Sequence, residues 1–212
     1  SRRTANSMTK ERLRAPFPWF GGKSRVADLV WGAFGDVPNY IEPFFGSGAV
    51  LLARQDWQGK TATINDKDGF VSNFWRSIKQ APGAVAAYAD WPVNENDLHA
   101  RHSWLVQQKV EMTAKLEADP DYCDPKVAGF WVWGMCAWIG SGFCSGNGPW
   151  AVVDGKLAKM PKSSGVSRKR PHLGGGGRGI NKRATQERGA FILEWCNQLS
   201  ERLRDVRVCS GD

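Results

Sequence analysis

A glycine-rich turn between a short strand and an apolar helix constrains the fold of this 212-residue chain more than any other feature of its sequence. Residues 40–43 predict a strand, Gly46 and Gly48 follow it, and residues 49–55 (AVLLARQ) predict a helix. Residues 61–64 then predict a second strand. Strand, turn, helix and strand in this order form a βαβ unit, so we expect part of the protein to be α/β.

Helices and a third strand are predicted around this unit. Residues 24–35 and 69–80 have helical spacing of apolar residues, as do residues 187–204, and residues 206–210 predict a strand. The side chains expected to be buried are Val26, Leu29, Val30 and Ala33 in the first helix, Phe70, Phe74 and Ile78 in the second, and Phe191, Leu193, Trp195, Leu199 and Leu203 in the third. Three strands leave unprotected edges, so we expect further residues or a second chain to complete the sheet.

The segment from 82 to 188 differs in composition from the parts that flank it. Residues 96–117 predict a charged, amphipathic helix, and residues 127–153 contain no charged residue. The apolar stretch 127–139 is too short to span a membrane, so it predicts a buried helix. Residues 150–157, with Asp154-Gly155 at their centre, predict a β-hairpin. We therefore expect a mostly helical insertion between two parts of an α/β core.

Positive charge is concentrated in one segment. The net charge is +8, and residues 156–188 hold ten Lys or Arg and one acid, so the rest of the chain is almost neutral. A basic segment on a neutral body favours a polyanionic partner such as nucleic acid. A solvated loop without a partner remains the alternative, since residues 163–179 also hold four consecutive glycines.

The two ends and the cysteines bear on the cellular setting. Residues 1–15 predict a flexible arm, and no secretory signal peptide is visible among the polar and basic residues that begin the chain. The five cysteines form no C-x-x-C pair, which argues against a disulfide framework and a cysteine-rich zinc site. We expect a cytoplasmic protein without a bound metal.

The glycine turn also indicates a ligand class. Gly46-x-Gly48 is half of a dinucleotide-binding fingerprint, but Leu51 occupies the place of the third glycine, which disfavours a dinucleotide. Asp66 ends the next strand, where an acid suits a ribose diol. The pattern fits a nucleoside-type cofactor, with a simple turn and a helix-capping Asp66 as the alternative.

A second glycine turn lies upstream of the first strand, in Pro18-Trp19-Phe20-Gly21-Gly22-Lys23. Paired glycines allow the backbone to approach a ligand closely. Lys23 could then pair with a carboxylate, and Trp19 and Phe44 could face a sulfonium cation. A cation, a carboxylate and a ribose together fit S-adenosylmethionine.

Three segments resemble a known family in order and spacing. They are FPWFGGKSRVADLV (17–30), NYIEPFFGSGAVLLAR (39–54) and INDKDGFVSNFWRSI (64–78), and they resemble the Dam-type, phage-like DNA adenine methyltransferases. The resemblance is close over residues 16–80 and looser over the insertion and residues 189–212. It implies a Rossmann-like methyltransferase core that binds S-adenosylmethionine and is interrupted by a helical insertion recognising double-stranded DNA.

The resemblance also assigns domains and sites. The implied parts are an arm (1–15), a cofactor-binding α/β part (16–81), a target-recognition insertion (82–188) and a return to the core (189–212). The cofactor residues would be Trp19, Gly22, Lys23, Glu42, Pro43, Phe44, Gly46, Gly48 and Asp66. The DNA-binding residues would be Trp150, Lys156, Arg168, Lys169, Arg170, Arg178, Lys182 and Arg183.

The catalytic signature of the family, Asp-Pro-Pro-Tyr beyond the last strand, does not occur in the sequence. We therefore expect these residues to act as the cofactor-binding and DNA-recognition portion of a methyltransferase and to be inactive alone. The similar tetrapeptide Asp119-Pro120-Asp121-Tyr122 is better explained as a helix-terminating turn. A non-catalytic DNA-binding protein and an RNA-directed methyltransferase remain the alternatives.

Overall fold

A computed structural model describes residues 12–138, 143–144, 150–153, 156–159, 179–182 and 187–212. The strands are β1 (Asn39–Glu42), β2 (Thr61–Asp66), β3 (Trp150–Val153), β4 (Lys156–Lys159) and β5 (Val206–Ser210). The α-helices are α1 (Ala27–Phe34), α2 (Ala49–Ala53), α3 (Gly69–Gln80), α4 (Pro82–Ala89), α5 (Glu95–Ala118), α6 (Pro125–Ala137) and α7 (Arg188–Arg202). Short 3₁₀ helices cover Lys23–Arg25 and Gly179–Lys182.

The three strands of the predicted α/β part form one parallel sheet in the order β1-β2-β5. Glu42 of β1 is in register with Ile64 of β2, which is in register with Val208 of β5. All three strands therefore end at the same edge of the sheet, where the glycine turn follows β1. This mixed α/β architecture confirms the predicted class, and the three strands lie where the sequence predicts them.

Helix α3 connects this sheet to the helical part of the protein. Asp68 caps its first turn by accepting a hydrogen bond from the Phe70 N–H at 3.0 Å. The Arg76 guanidinium donates to the carbonyl of Val208 in β5 and to those of Leu116 and Asp119 at the end of α5. Arg76 is only 5% exposed, so its guanidinium needs hydrogen-bond partners within the protein. These carbonyls provide them, and the side chain thereby links β5 to the end of α5.

The helical part packs around α6, which corresponds to the buried helix predicted for residues 127–139 and begins at Pro125. Trp131 and Trp133 are almost completely buried, and they belong to the same apolar cluster as Phe45 and Trp75 near the sheet. Within the described residues, none of the helices is both long and apolar enough to cross a membrane. The division of the chain into a core and an insertion stays a prediction.

The apolar face expected for the first helix is wrong for three of its four residues, since of the four only Val30 packs against the core. Leu29 is 74% exposed and Val26 is 43% exposed, and Ala33 is exposed as well. The helix packs through the buried Ala27 and through Trp31, whose indole N–H donates to the Val50 carbonyl at 2.7 Å. The helix is shorter than predicted and packs on the edge strand β1 through Trp31, which contacts Tyr40, so the buried face is shifted from the predicted one.

Two further features of the helices differ from the predictions. Leu193 in α7 is 43% exposed, whereas its neighbours Ile192 and Cys196 are buried. Helix α4 is not among the predicted elements; it begins at Pro82, a residue that suits the first helical turn because that turn needs no N–H partner. By contrast, the predicted burial of Phe70, Phe74 and Ile78 in α3 is confirmed.

The outer edge of β1 is open among the described residues. β1 pairs with β2 on one side, and Ile41 is 65% exposed. An apolar, unpaired parallel strand is a ready template for another strand. That further residues or a second chain complete the sheet stays a prediction.

Much of the predicted DNA-binding segment lies outside the described residues. This holds for Arg168, Lys169, Arg170, Arg178 and Arg183, as well as for residues 1–11 of the arm. Only the backbone is described at Trp150, Lys156 and Lys182. The hairpin is confirmed at this level, because β3 and β4 pair antiparallel with Val153 opposite Lys156, while Asp154-Gly155 lies outside the described residues.

Candidate functional site

The backbone of Gly46 is fixed from two sides by residues of later elements. Its N–H donates to Asp66 Oδ2 at 2.8 Å, and its carbonyl accepts from Trp75 Nε1 at 2.9 Å. Asp66 ends β2 and Trp75 lies in α3, so the first glycine turn is tied to the elements that follow it in the chain. Both Gly46 and Gly48 have positive φ angles, +53° and +74°, which favour glycine.

The indole of Trp19 packs directly on Gly46 and brings the second glycine turn to the first. A Cβ atom on Gly46 would lie 2.5 Å from Cδ1 and from Nε1 of Trp19. Trp19 itself is held by edge-on contacts with Phe17 and Trp131. The absence of a side chain at Gly46 therefore permits the contact that assembles the two turns.

A cleft of about 200 Å³ lies between these two turns. Its aromatic walls are largely uncovered, with Phe20 at 97% and Phe44 at 78% exposure. Large apolar side chains in such positions are typical of binding surfaces. The cleft is lined by Trp19, Phe20, Gly21, Gly22, Lys23, Phe44, Phe45, Ser47 and Ala49.

Lys23 is the cation of this cleft. Its Nζ lies 2.6 Å from Oε1 of Glu42 and donates to the Phe44 carbonyl, also at 2.6 Å. Burial raises the pKa of Glu42, and the Lys23 ammonium and the Tyr40 hydroxyl offset only part of this rise. A carboxylate that is 4% exposed thus lies beneath an ammonium that is 36% exposed. The ammonium, and not the carboxylate, faces the cleft.

The structure brings together part of the predicted cofactor set. Trp19, Gly22, Lys23 and Phe44 line the cleft, and Glu42 contacts it through Lys23. Three further residues of the predicted set, Pro43, Gly46 and Gly48, shape the turn after β1. The Pro43 carbonyl accepts a hydrogen bond from Asn65 Nδ2 at 3.3 Å, and both glycines have positive φ angles.

Asp66 lies beneath the turn, away from the cleft wall. Besides Gly46, its carboxylate accepts from the Asp68 N–H at 3.0 Å, and it borders a separate shallow depression with Asn65 and Ser72. The positioning of the turn is thus one role of Asp66 that the sequence pattern does not predict. Each carboxylate oxygen retains a further lone pair, so the predicted ribose contact stays a prediction.

Five residues of the cleft wall are not in the predicted cofactor set: Phe20, Gly21, Phe45, Ser47 and Ala49. Phe20 and Ser47 stand inside the two motifs that the sequence singles out, next to Gly21 and between Gly46 and Gly48. Their position inside a ligand-binding turn is the signal that could have identified them.

Asp119–Tyr122 forms the turn that ends α5. Asp119 is the C-cap residue of the helix. Its Oδ1 accepts a hydrogen bond from the Asp121 N–H at 2.9 Å, and its carbonyl accepts one from the Tyr122 N–H at 3.2 Å. None of these four described residues lines the cleft. The interpretation as a helix-terminating turn is confirmed.

The region that builds the two turns also matches a known family. Residues 19–111 match the family of D12 class N6 adenine-specific DNA methyltransferases. The match begins at Trp19 and includes Lys23, Gly46, Asp66 and Trp75, the residues that build the cleft and its turns. It supports adenine methylation of DNA as the general activity. No curated protein matches the chain.

Gly46→Ala should destabilise the protein more than an alanine at another glycine with positive φ. Gly59, with φ +71° and nothing within 4 Å of the place that a Cβ would occupy, is the matched control because it reports the cost of φ alone. We expect Gly59→Ala to lower the free energy of unfolding by about 1–2 kcal/mol. Gly46→Ala should lower it by at least about 2 kcal/mol more, since Trp19 must move. Urea unfolding of both variants measures the difference, and equal losses would contradict the contact.

Proposed function

We propose that the cleft binds S-adenosylmethionine and that the chain serves in methylation of the exocyclic amino group of adenine in DNA, as in the Dam-type enzymes. The observation that carries this proposal is the contact of Trp19 with Gly46, which joins the two glycine turns around Lys23 inside the family match. The parallel sheet supports it as well, because ligands of open α/β sheets lie beyond the carboxyl ends of the strands. A Rossmann-like core is part of the same proposal.

The residues present fit one end of this cofactor. Lys23 donates one hydrogen bond to the Phe44 carbonyl and forms an ion pair with Glu42, and an ammonium has three donors, so it can also donate to a ligand carboxylate. The exposed rings of Phe20 and Phe44 suit a sulfonium cation. The cleft volume of about 200 Å³ is below the range of complete small-molecule sites, so we place the amino-acid end there.

The nucleoside would then extend along the carboxyl ends of the strands towards Asp66, whose remaining lone pairs could accept from the ribose hydroxyls. The cofactor supplies an activated methyl group. The residues of this chain bind and orient it, with Lys23 holding the carboxylate and the Gly21-Gly22 backbone allowing close approach.

We propose that the segment 82–188 recognises double-stranded DNA. The basic residues Lys156, Arg168, Lys169, Arg170, Arg178, Lys182 and Arg183 would neutralise phosphates, and the hairpin that begins at Trp150 would contact the duplex. The division into arm, cofactor part, insertion and returning core, and a cytoplasmic setting, belong to this proposal.

We further propose that these 212 residues bind their ligands without transferring a methyl group. The sequence contains no Asp-Pro-Pro-Tyr motif to accept the adenine amino hydrogens and stack on a flipped base. A labelled-methyl assay with duplex DNA and with RNA as acceptors tests this. Transfer to DNA would contradict it and direct attention to Asp119 and Tyr122, and transfer to RNA alone would favour an RNA-directed enzyme. Duplex binding without cofactor binding would favour a non-catalytic DNA-binding protein.

Asp66→Asn should weaken S-adenosylmethionine binding by about tenfold or more, because a charged acceptor for the ribose is lost. Asparagine keeps one oxygen for the Gly46 N–H but loses the bond from the Asp68 N–H, so urea unfolding of the variant is measured alongside its affinity. Asp56→Asn, which removes the same charge at an exposed position, is the control. Titration calorimetry measures both, and unchanged affinity in Asp66→Asn would remove Asp66 from the site.

Replacement of Arg168, Lys169 and Arg170 by alanine should weaken duplex binding and reduce its salt dependence. Each lost phosphate contact lowers the slope of log K against log salt by about 0.9. The matched variant replaces Lys67, Lys115 and Arg204, three exposed cations elsewhere on the surface, by alanine. Equal slopes in the first variant and the parent would mean that the cluster is only a solvated loop.

A further inference from the structure

The Ser47 hydroxyl is a polar group of the cleft that no described residue satisfies. Ser47 is 4% exposed, yet it lines the cleft, and among the described residues nothing hydrogen-bonds its Oγ. Although the residue is buried overall, its Oγ is not among the fully buried side-chain atoms that lack a partner, so the hydroxyl is accessible from the cleft. Ser72, a similarly buried serine, donates to the Asp66 carbonyl at 2.8 Å. Ser47 therefore presents a donor to whatever fills the cleft.

The opposite turn leaves room for a ligand next to this hydroxyl. A Cβ on Gly22 would lie 3.9 Å from Ser47 Oγ, which is ordinary van der Waals contact, so the Gly22 backbone and the Ser47 hydroxyl face each other across the two turns. Gly22 is followed directly by Lys23, on the same cleft wall. A hydroxyl donor and an ammonium thus share one small cleft.

The charges around the cleft select the ligand group. Glu42 lies buried behind Lys23, so the cleft meets the ammonium side of this ion pair and a neutral hydroxyl donor. This combination suits a carboxylate, which can accept from the hydroxyl and from the ammonium at once. A neutral acceptor would form a weaker hydrogen bond with the Lys23 ammonium than a carboxylate does, and a cationic group would be repelled by it.

We propose that Ser47 is a specificity-determining residue that donates a hydrogen bond to the carboxylate of the cofactor's amino-acid end, next to Lys23. The proposal rests on the proposed function. It adds a residue that selects S-adenosylmethionine over nucleosides that lack the amino-acid end.

Calorimetry with two ligands tests the proposal. S-adenosylmethionine carries the carboxylate, and 5′-methylthioadenosine has the same nucleoside and sulfur without the amino-acid end. Ser47→Ala should weaken binding of the first by about tenfold or more and leave binding of the second unchanged. Ser77→Ala is the matched control, because Ser77 is a fully buried serine of α3 that does not line the cleft.

The outcomes separate the two proposals. Unchanged binding of S-adenosylmethionine by Ser47→Ala overturns the role of Ser47, and so does an equal loss for both ligands, which would indicate a structural role. Methylthioadenosine binding also reports whether the variant is folded. If the parent protein binds neither ligand, the proposed function itself fails, together with the inference built on it.

Discussion

The candidate site depends on the backbone of Gly46. Asp66 holds its N–H, Trp75 holds its carbonyl, and the indole of Trp19 lies where a side chain would be. These three partners come from a segment before β1, from the end of β2 and from α3. One residue without a side chain thus connects the two glycine turns and fixes the cleft between them.

The surroundings of this residue are built at some cost to stability. Glu42 is buried with a raised pKa, and Phe20 and Phe44 leave large apolar surfaces in solvent. Burial of apolar surface stabilises a fold by roughly 25 cal/mol per Å², and these two side chains bury little of theirs. Local conflicts of this kind are expected at functional sites, where binding compensates for them. These unfavourable features lie at the cleft, which supports the proposal that the cleft binds a ligand.

Local sequence patterns predict the elements of the sheet well. The strands follow from short apolar runs bounded by turn residues, and the burial of α3 follows from its periodicity. The face predicted for α1 is largely wrong because periodicity identifies an apolar stripe but not the position of the helix in the fold. Leu29 is exposed since α1 lies at the margin of the sheet and packs through Ala27 and Trp31.

The site is predictable in its motifs but not in its contacts. The two glycine turns, Lys23 and Phe44 are identified from the sequence, and the cleft lies between these turns with Lys23 and Phe44 in its wall. The positions of Trp19 over Gly46, of Asp66 beneath the turn and of Arg76 at the end of α5 depend on packing between distant segments. No spacing in the sequence encodes such packing, so only the structure reveals it.

Ultraviolet cross-linking of methyl-labelled S-adenosylmethionine, followed by tryptic peptide mapping, tests the central claim most directly. Cleavage at Lys and Arg places the two turns in the peptides 15–23 and 26–54. The account predicts label in one or both of these peptides, and excess unlabelled cofactor should remove it. Label confined to peptides of the helical segment 82–138, or label that excess cofactor does not displace, would contradict the account.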